Sequence, residues 1–172
     1  MSKIDEAVIG YRVFENATEF LGISQVDMPN IEFFTTTVQG AGIAGEVEDV
    51  ILGHINAMRA TFHFNSFGEN AMKLATPTDH HIDLREVQQN RNMAKGKLEV
   101  TGVKHVMVMR PVTINGGTLK QAATSDPSGE YAVSYYARYT NGKQDIEIDP
   151  LGYKCTINGV DYLAPVRKAM GL

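Results

Sequence analysis

Residues 130–150 read E-Y-A-V-S-Y-Y-A-R-Y-T-N-G-K-Q-D-I-E-I-D-P. Asn141-Gly142 is the strongest short signal for a β-hairpin, because both residues tolerate the positive φ that a two-residue turn needs. A two-residue turn there pairs Arg138 with Asp145, Tyr136 with Glu147 and Ser134 with Asp149, and places these on one face. Val133, Tyr135, Ala137 and Tyr139, opposite Gln144, Ile146 and Ile148, make the other face. One polar and one apolar face predict a half-buried antiparallel sheet.

Working outward, the rest of the chain carries the same kind of signal. Residues 9–28 predict a first hairpin, I-G-Y-R-V-F against E-F-L-G-I-S-Q-V, with Glu15-Asn16-Ala17-Thr18 as the turn and Pro29 ending the pairing. The β-branched and aromatic run I-E-F-F-T-T-T-V follows. Residues 60–67 alternate as a strand, His81–Val87 suggest another, and Gly96–Pro111 a long one with a bulge or bend at Gly102. Ser66 and Glu69 have capping-box spacing before a short helix that Pro77 ends. At the chain's end Asp161 is placed to cap a short helix, with Arg167 and Lys168 at its C-terminal side and Gly171 as its stop. No internal repeat or low-complexity segment interrupts this order.

The totals bound the function. At 172 residues, 43% apolar and 21% charged, the chain suits one soluble domain, 1–172, with a sizeable core. A net charge of −4 argues against a binder that depends on nucleic-acid phosphates. One cysteine, Cys155, excludes an intrachain disulfide and fits synthesis in a reducing cytoplasm. No stretch approaches the roughly 20 apolar residues of a membrane span, and M-S-K-I-D-E lacks the apolar core of a signal peptide.

Three features invite a chemical reading. Gly40, Gly42 and Gly45 fit the phosphate-cradling pattern G-x-G-x-x-G. They follow a candidate strand and precede Val47, Val50, Ile51, His54, Ile55 and Met58, which have helical spacing. Against a dinucleotide site stand the half-polar strand before them, the hairpins elsewhere and the absence of room for a substrate domain. The alternative is a loop whose glycines allow positive φ and close backbone approach. Asp145, Glu147 and Asp149 have period two and so share a face, which could hold a metal or an acid/base pair. The simpler reading is a solvated face, with Arg138 opposite Asp145. The histidines lack zinc-ligand spacing, and His80 and His81, adjacent in a strand, should point to opposite faces. Cys155 reads as a packed thiol, and the methionines as filling for the core and subunit contacts. These readings predict no catalytic residue, no metal and no cofactor.

The order of these features resembles the major tail tube proteins of contractile, P2-like bacteriophages. The resemblance rests on Y-R-V-F-E-N…F-L-G-I-S-Q-V ending in M-P, then Q-G-A-G-I-A-G, then M-R-A-T-F-H-F-N-S-F-G-E-N-A-M. It closes with the N-G-K turn, Q-D-I-E-I-D, and I-N-G-V-D-Y-L…R-K-A-M-G-L. It spans nearly the full length and is least distinct from about Thr78 to Ser128. It implies a mainly β fold, an antiparallel sandwich or barrel with a short flanking helix. Residues 30–53 would be an extended inter-subunit arm and residues 160–172 a capped C-terminal helix and tail. Six copies would form a ring with an inner β-barrel, and rings would stack into a tube inside a contractile sheath. The implied partners are the chain itself, the sheath, the tape measure protein, the tail terminator and the baseplate or tube-initiator proteins. Double-stranded DNA would pass through without specific binding, and the protein would reside in the virion tail after synthesis in the host bacterium's cytoplasm. In that setting Gly40, Gly42 and Gly45 would let the arm lie against a neighbour. The face with Arg138, Asp145, Glu147 and Asp149 would be a candidate lumen wall, its negative charge repelling phosphates. The outer wall is its alternative. Other classes remain open: the tube of an R-type bacteriocin or another contractile injection particle, a small dinucleotide-binding enzyme, and a monomeric β-sandwich binding module.

Overall fold

The computed structural model describes residues 3–172. The chain runs through β1 (Lys3–Glu15), β2 (Thr18–Phe20), β3 (Ile23–Asp27), β4 (Phe33–Val38), β5 (Val47–Ile55) and β6 (Met58–Phe64). Helix α1 (Glu69–Leu74) precedes the long strands β7 (His80–Asn92), β8 (Lys97–Asn115) and β9 (Ser128–Thr140). The chain ends with β10 (Lys143–Asp149), β11 (Lys154–Ile157), β12 (Val160–Asp161) and α2 (Ala164–Met170).

Ten strands form one antiparallel sheet in the order β12-β11-β10-β9-β8-β7-β1-β2, with β6 also on β9 and β3 on β6; β4 and β5 make a separate pair. Strand β9 organises the fold. β8 lies along one edge, while the other edge is shared: Ser128–Val133 pair with β6 and Tyr136–Thr140 with β10. A register shift against β8 separates the two halves, so the inward positions run Tyr131, Val133, then Tyr136. One extra residue reverses the alternation, as a bulge must. The sheet folds on itself, and Met58, Ala60, Phe62 and Phe64 of β6 meet Val13, Ile82, Leu84, Met107, Met109 and Tyr131 in one apolar cluster. Ala71 and Leu74 of α1 join it, and Phe62 meets Tyr131 edge to face, with centroids 5.4 Å apart.

Several expectations are corrected. β1 and β2 form the predicted hairpin through Asn16 and Ala17, both at positive φ, but the second strand breaks at Gly22 (φ +82). β3 then pairs with β6 instead of β1. Of the residues with helical spacing, Val47 to Ile55 form strand β5 and Met58 begins β6: the apolar groups of β5 serve both faces of a hairpin, a pattern that period alone confuses with a helix. Gly68, not Ser66, is the N-cap of α1, without a side-chain bond. Gly102 interrupts nothing. The β7–β8 register runs unbroken through Gly102↔Val87, and the bends in β8 lie near Met109 and Pro111.

The β9–β10 turn is at Asn141-Gly142 as predicted (φ +48 and +81), but the register slips after Gln144↔Tyr139. Asp145 bulges, and Arg138 faces Ile146, Ala137 faces Glu147 and Tyr136 faces Ile148. The predicted register would have set Glu147 beside the buried Tyr136. The bulge instead delivers fully buried Ile148 to the core. In the C-terminal tail Asp161 Oδ1 accepts from Leu163 N–H (3.0 Å), one step before α2, whose N-cap is Leu163 with no side-chain bond. Gly171 closes α2 in the left-handed conformation, as predicted.

Candidate assembly surfaces

β4 and β5 form a hairpin arm with Val38↔Val47, Thr37↔Glu48, Thr36↔Asp49 and Thr35↔Val50 opposite one another. Every residue of β4 is exposed, and so are Val47, Val50 and Leu52. A lone two-stranded hairpin is marginal in water, and this one shows apolar groups on both faces. Its base is fixed by Asn56 N–H to Glu32 O (2.8 Å) and by Gly53, which packs so closely on Leu163 that a Cβ would collide with that side chain.

Gly40, Gly42 and Gly45 sit at the arm's tip with φ of +156°, +91° and +131°, and Ile43 N–H donates to Gly40 O (3.1 Å). A Cβ at any of the three would meet nothing within the chain. The glycines therefore answer to backbone conformation and not to packing inside one copy. They connect two antiparallel strands and lead into a strand, so no helix N-terminus stands where a pyrophosphate would bind, and the dinucleotide reading fails on geometry.

The acidic series is parted by the bulge. Asp145 lies with Arg138 and Thr140, accepting from Arg138 Nη1 (3.1 Å) and from the Thr140 hydroxyl. Glu147 lies on the opposite face, accepts from Tyr135 O–H (3.0 Å) and stands 3.9 Å from Lys154 Nζ. Burial, reinforced by Glu147, pushes the Tyr135 phenol well above its ordinary range. Asp149 accepts from Gly152 N–H (2.9 Å) in the turn after β10. Each carboxylate thus has its own partner. Among the described residues no three His, Cys, Asp or Glu are grouped to hold a metal.

Two buried histidines that composition did not single out are wired into the fold. His80 faces inward and His81 outward, as the strand alternation predicts. His80 joins Glu15 through Nδ1 (2.9 Å) and Thr76 O through Nε2 (2.8 Å). His105 bridges Glu86 and the Tyr136 hydroxyl, both at 2.9 Å. Strand period would have found them as inward positions, but not their partners, which come from β1, β7, β9 and the loop after α1. Cys155 is fully buried, and burial raises its thiol pKa.

The long strands leave backbone edges open. β2 covers β1 only at Val13–Glu15, so from Lys3 to Arg12 the outer edge of β1 has no strand against it among the described residues. β9 joins β8 only from Val103 on, and Asn141 holds both backbone groups of Gly102, which leaves Lys97–Thr101 open as well. A three-stranded extension, β1-β7-β8, therefore projects beyond the core with Ile4, Leu98 and Val100 exposed. Uncapped edges of this length are sites for pairing with another chain.

A family model described as phage tail tube protein FII matches residues 5–171. Two solved structures share the fold. One is the sheath/tube terminator of an extracellular contractile injection system, PVC, in the extended state. Its TM-score is 0.53 at 11% identity, covering 78% of this chain and 96% of that one. The other is the sheath-tube complex of the same kind of system in the extended state, with TM-score 0.50 at 10% identity over 75% of this chain and 87% of that one. No curated protein matches the sequence.

Proposed function

Because the chain belongs to the phage tail tube protein FII family, a structural family and not an enzymatic one, we propose that its copies stack as rings into the inner tube of a contractile phage tail. The observation that carries this is the β4–β5 arm, residues 30–53 of the chain: a hairpin anchored to the body only at its base, with exposed apolar groups on both faces and three glycines at positive φ at its tip. In this reading the arm lies on a neighbouring subunit, and the open β1 and β8 edges pair with adjacent copies to close a six-fold inner barrel. A closed rotational contact makes the ring, and a head-to-tail contact propagates the tube. The tube works inside a sheath, with terminator, tape measure and initiator proteins at its ends, and conducts DNA without holding it.

The lumen wall in this reading is the sheet face that carries Glu147 and Asp149 together with Asp83, Arg85 and Lys104. Arg85 and Lys104 both pair with Asp83, at 3.1 and 3.3 Å, and Glu147 and Asp149 on the same face bring its carboxylates to three against these two cations. Arg138 and Asp145 belong to the other side of the β9–β10 hairpin. Electron microscopy of the purified chain tests the whole reading: hollow tubes of stacked rings are expected, and a chain that stays monomeric at all concentrations refutes it. A reconstruction with Glu147 on the outer wall would remove the lumen assignment alone. Capsid genes beside this one would mark a genome-delivering phage, and their absence a bacteriocin or other injection particle.

A further inference from the structure

Two parts of the surface carry grouped, unpaired charge of opposite sign. From Asn30 to Met58 there is no lysine or arginine, but there are four carboxylates, Glu32, Glu46, Glu48 and Asp49. None of the four lies within ion-pair distance of a cation among the described residues. Outside the arm, the carboxylates without a cation partner among the described residues are Asp5, Asp126 and Asp149, on three different segments. The lysines and arginines without a carboxylate partner among the described residues are Lys95, Lys97, Lys120, Lys143 and Lys168. Only Lys95 and Lys97 stand together, flanking Gly96 in the turn that joins β7 to β8, at the far end of the three-stranded extension. The nearby carboxylate of Glu99 is already taken by Lys3 (2.5 Å) and Asn92 (3.0 Å). Apolar groups flank both places: Met93 and Leu98 are exposed beside the lysines, and Val38, Ile43 and Val47 beside Glu46 and Glu48.

We propose that the acidic arm of one copy docks on the Lys95–Lys97 turn of a second copy, carboxylates against ammonium groups and the flanking apolar side chains against each other. The inference rests on the tube reading and adds to it a specific contact partner for the arm. The contact is head-to-tail, because arm and turn are different surfaces, so every copy both gives an arm and receives one. Single exposed pairs are weak, but the contact repeats at every subunit. Opposite charges at the two surfaces also reject wrong registers, since arm against arm or turn against turn would repel.

The test uses the full chain and four variants, each checked by circular dichroism for an intact fold and then sedimented and imaged. E48K/D49K and K95E/K97E are each expected to lower the polymerised fraction roughly tenfold. The combined four-substitution chain, with both signs exchanged, should return to within about twofold of the parent. K120E/K143E reverses two lysines outside the contact and should polymerise like the parent. Raising salt from about 0.05 to about 0.5 M should depolymerise the parent as screening shortens. If the parent makes tubes but either two-site variant polymerises normally, or the combined chain fails like its components, the contact is wrong and the tube reading stands. If K120E/K143E fails equally, net charge and not this contact governs assembly. A parent that never polymerises refutes both.

Discussion

At the scale of single residues the glycines of the arm separate folding from assembly. Gly42 sits at φ +91° in open space. Valine there stores about 1–3 kcal/mol of backbone strain, but in a hairpin tip outside the core. The expected outcome for Gly42→Val is a soluble chain with parental melting that forms no sedimenting tubes; tubes from this variant would refute the arm's role. Tyr131 tests the opposite end of the molecule. Its ring is fully buried, and its hydroxyl has no hydrogen-bond partner among the protein atoms. Tyr131→Phe should therefore stabilise by about 1 kcal/mol, raising Tm by roughly 2–4 °C. Burial pushes the Tyr131 phenol up to about 12. A group with a raised folded pKa contributes its stability below its unfolded value, near 10, and loses it as pH climbs through the folded one. The variant should accordingly lose less stability than the parent between about pH 10 and 12.

At the scale of elements, one ion pair ties α2 to the chain before it. Arg167 Nη2 reaches Asp161 Oδ2 (2.6 Å) and Arg167 Nη1 reaches Tyr153 O (2.5 Å), tying the helix back to the strand end before it. The Arg167 hydrogen bond, with the Leu163 N–H adding to it, holds the Asp161 carboxyl below the ordinary aspartate range. A depressed carboxyl stabilises above its unfolded pKa, about 4, and loses that contribution as pH falls through its folded value. Hydrogen exchange at the α2 amides should thus accelerate below about pH 4. Asp161→Asn should bring the faster exchange to neutral pH, with a cost of about 1 kcal/mol. Unchanged exchange in the variant would show that Leu163 packing alone anchors the helix.

At the scale of the whole molecule, stability and assembly draw on different surfaces. The core gathers around β6, and Phe62 is fully buried against Tyr131. Phe62→Ala should cost about 3–5 kcal/mol and lower Tm by roughly 10 °C, with tubes, where they form, of parental appearance. Calorimetry reads the first and microscopy the second. The arm beyond its base and the open stretches of β1 and β8 contribute little to this core, and in the proposed tube they are the parts that a second copy completes.

The sequence by itself determined what local chemistry can determine. Asn141-Gly142 imposed its turn, Gly171 its cap, and His80 and His81 their opposite directions, because each depends only on the φ a residue tolerates or on the period of a strand. The order of hairpins was enough to show a resemblance to tube proteins and a mainly β fold. What only the tertiary structure decided was register and partnership. Asp145 bulges because the core beside Tyr136 accepts Ile148 and refuses the carboxylate of Glu147. Val47–Ile55 is a strand because β4 is there to pair with it, β3 leaves β1 for β6, and Gly102 passes straight through a ladder that the sequence suggested it would bend. Each of these is set by a neighbour distant in sequence, whose side chain or backbone edge supplies or withholds the burial and hydrogen bonds that local pattern leaves undecided.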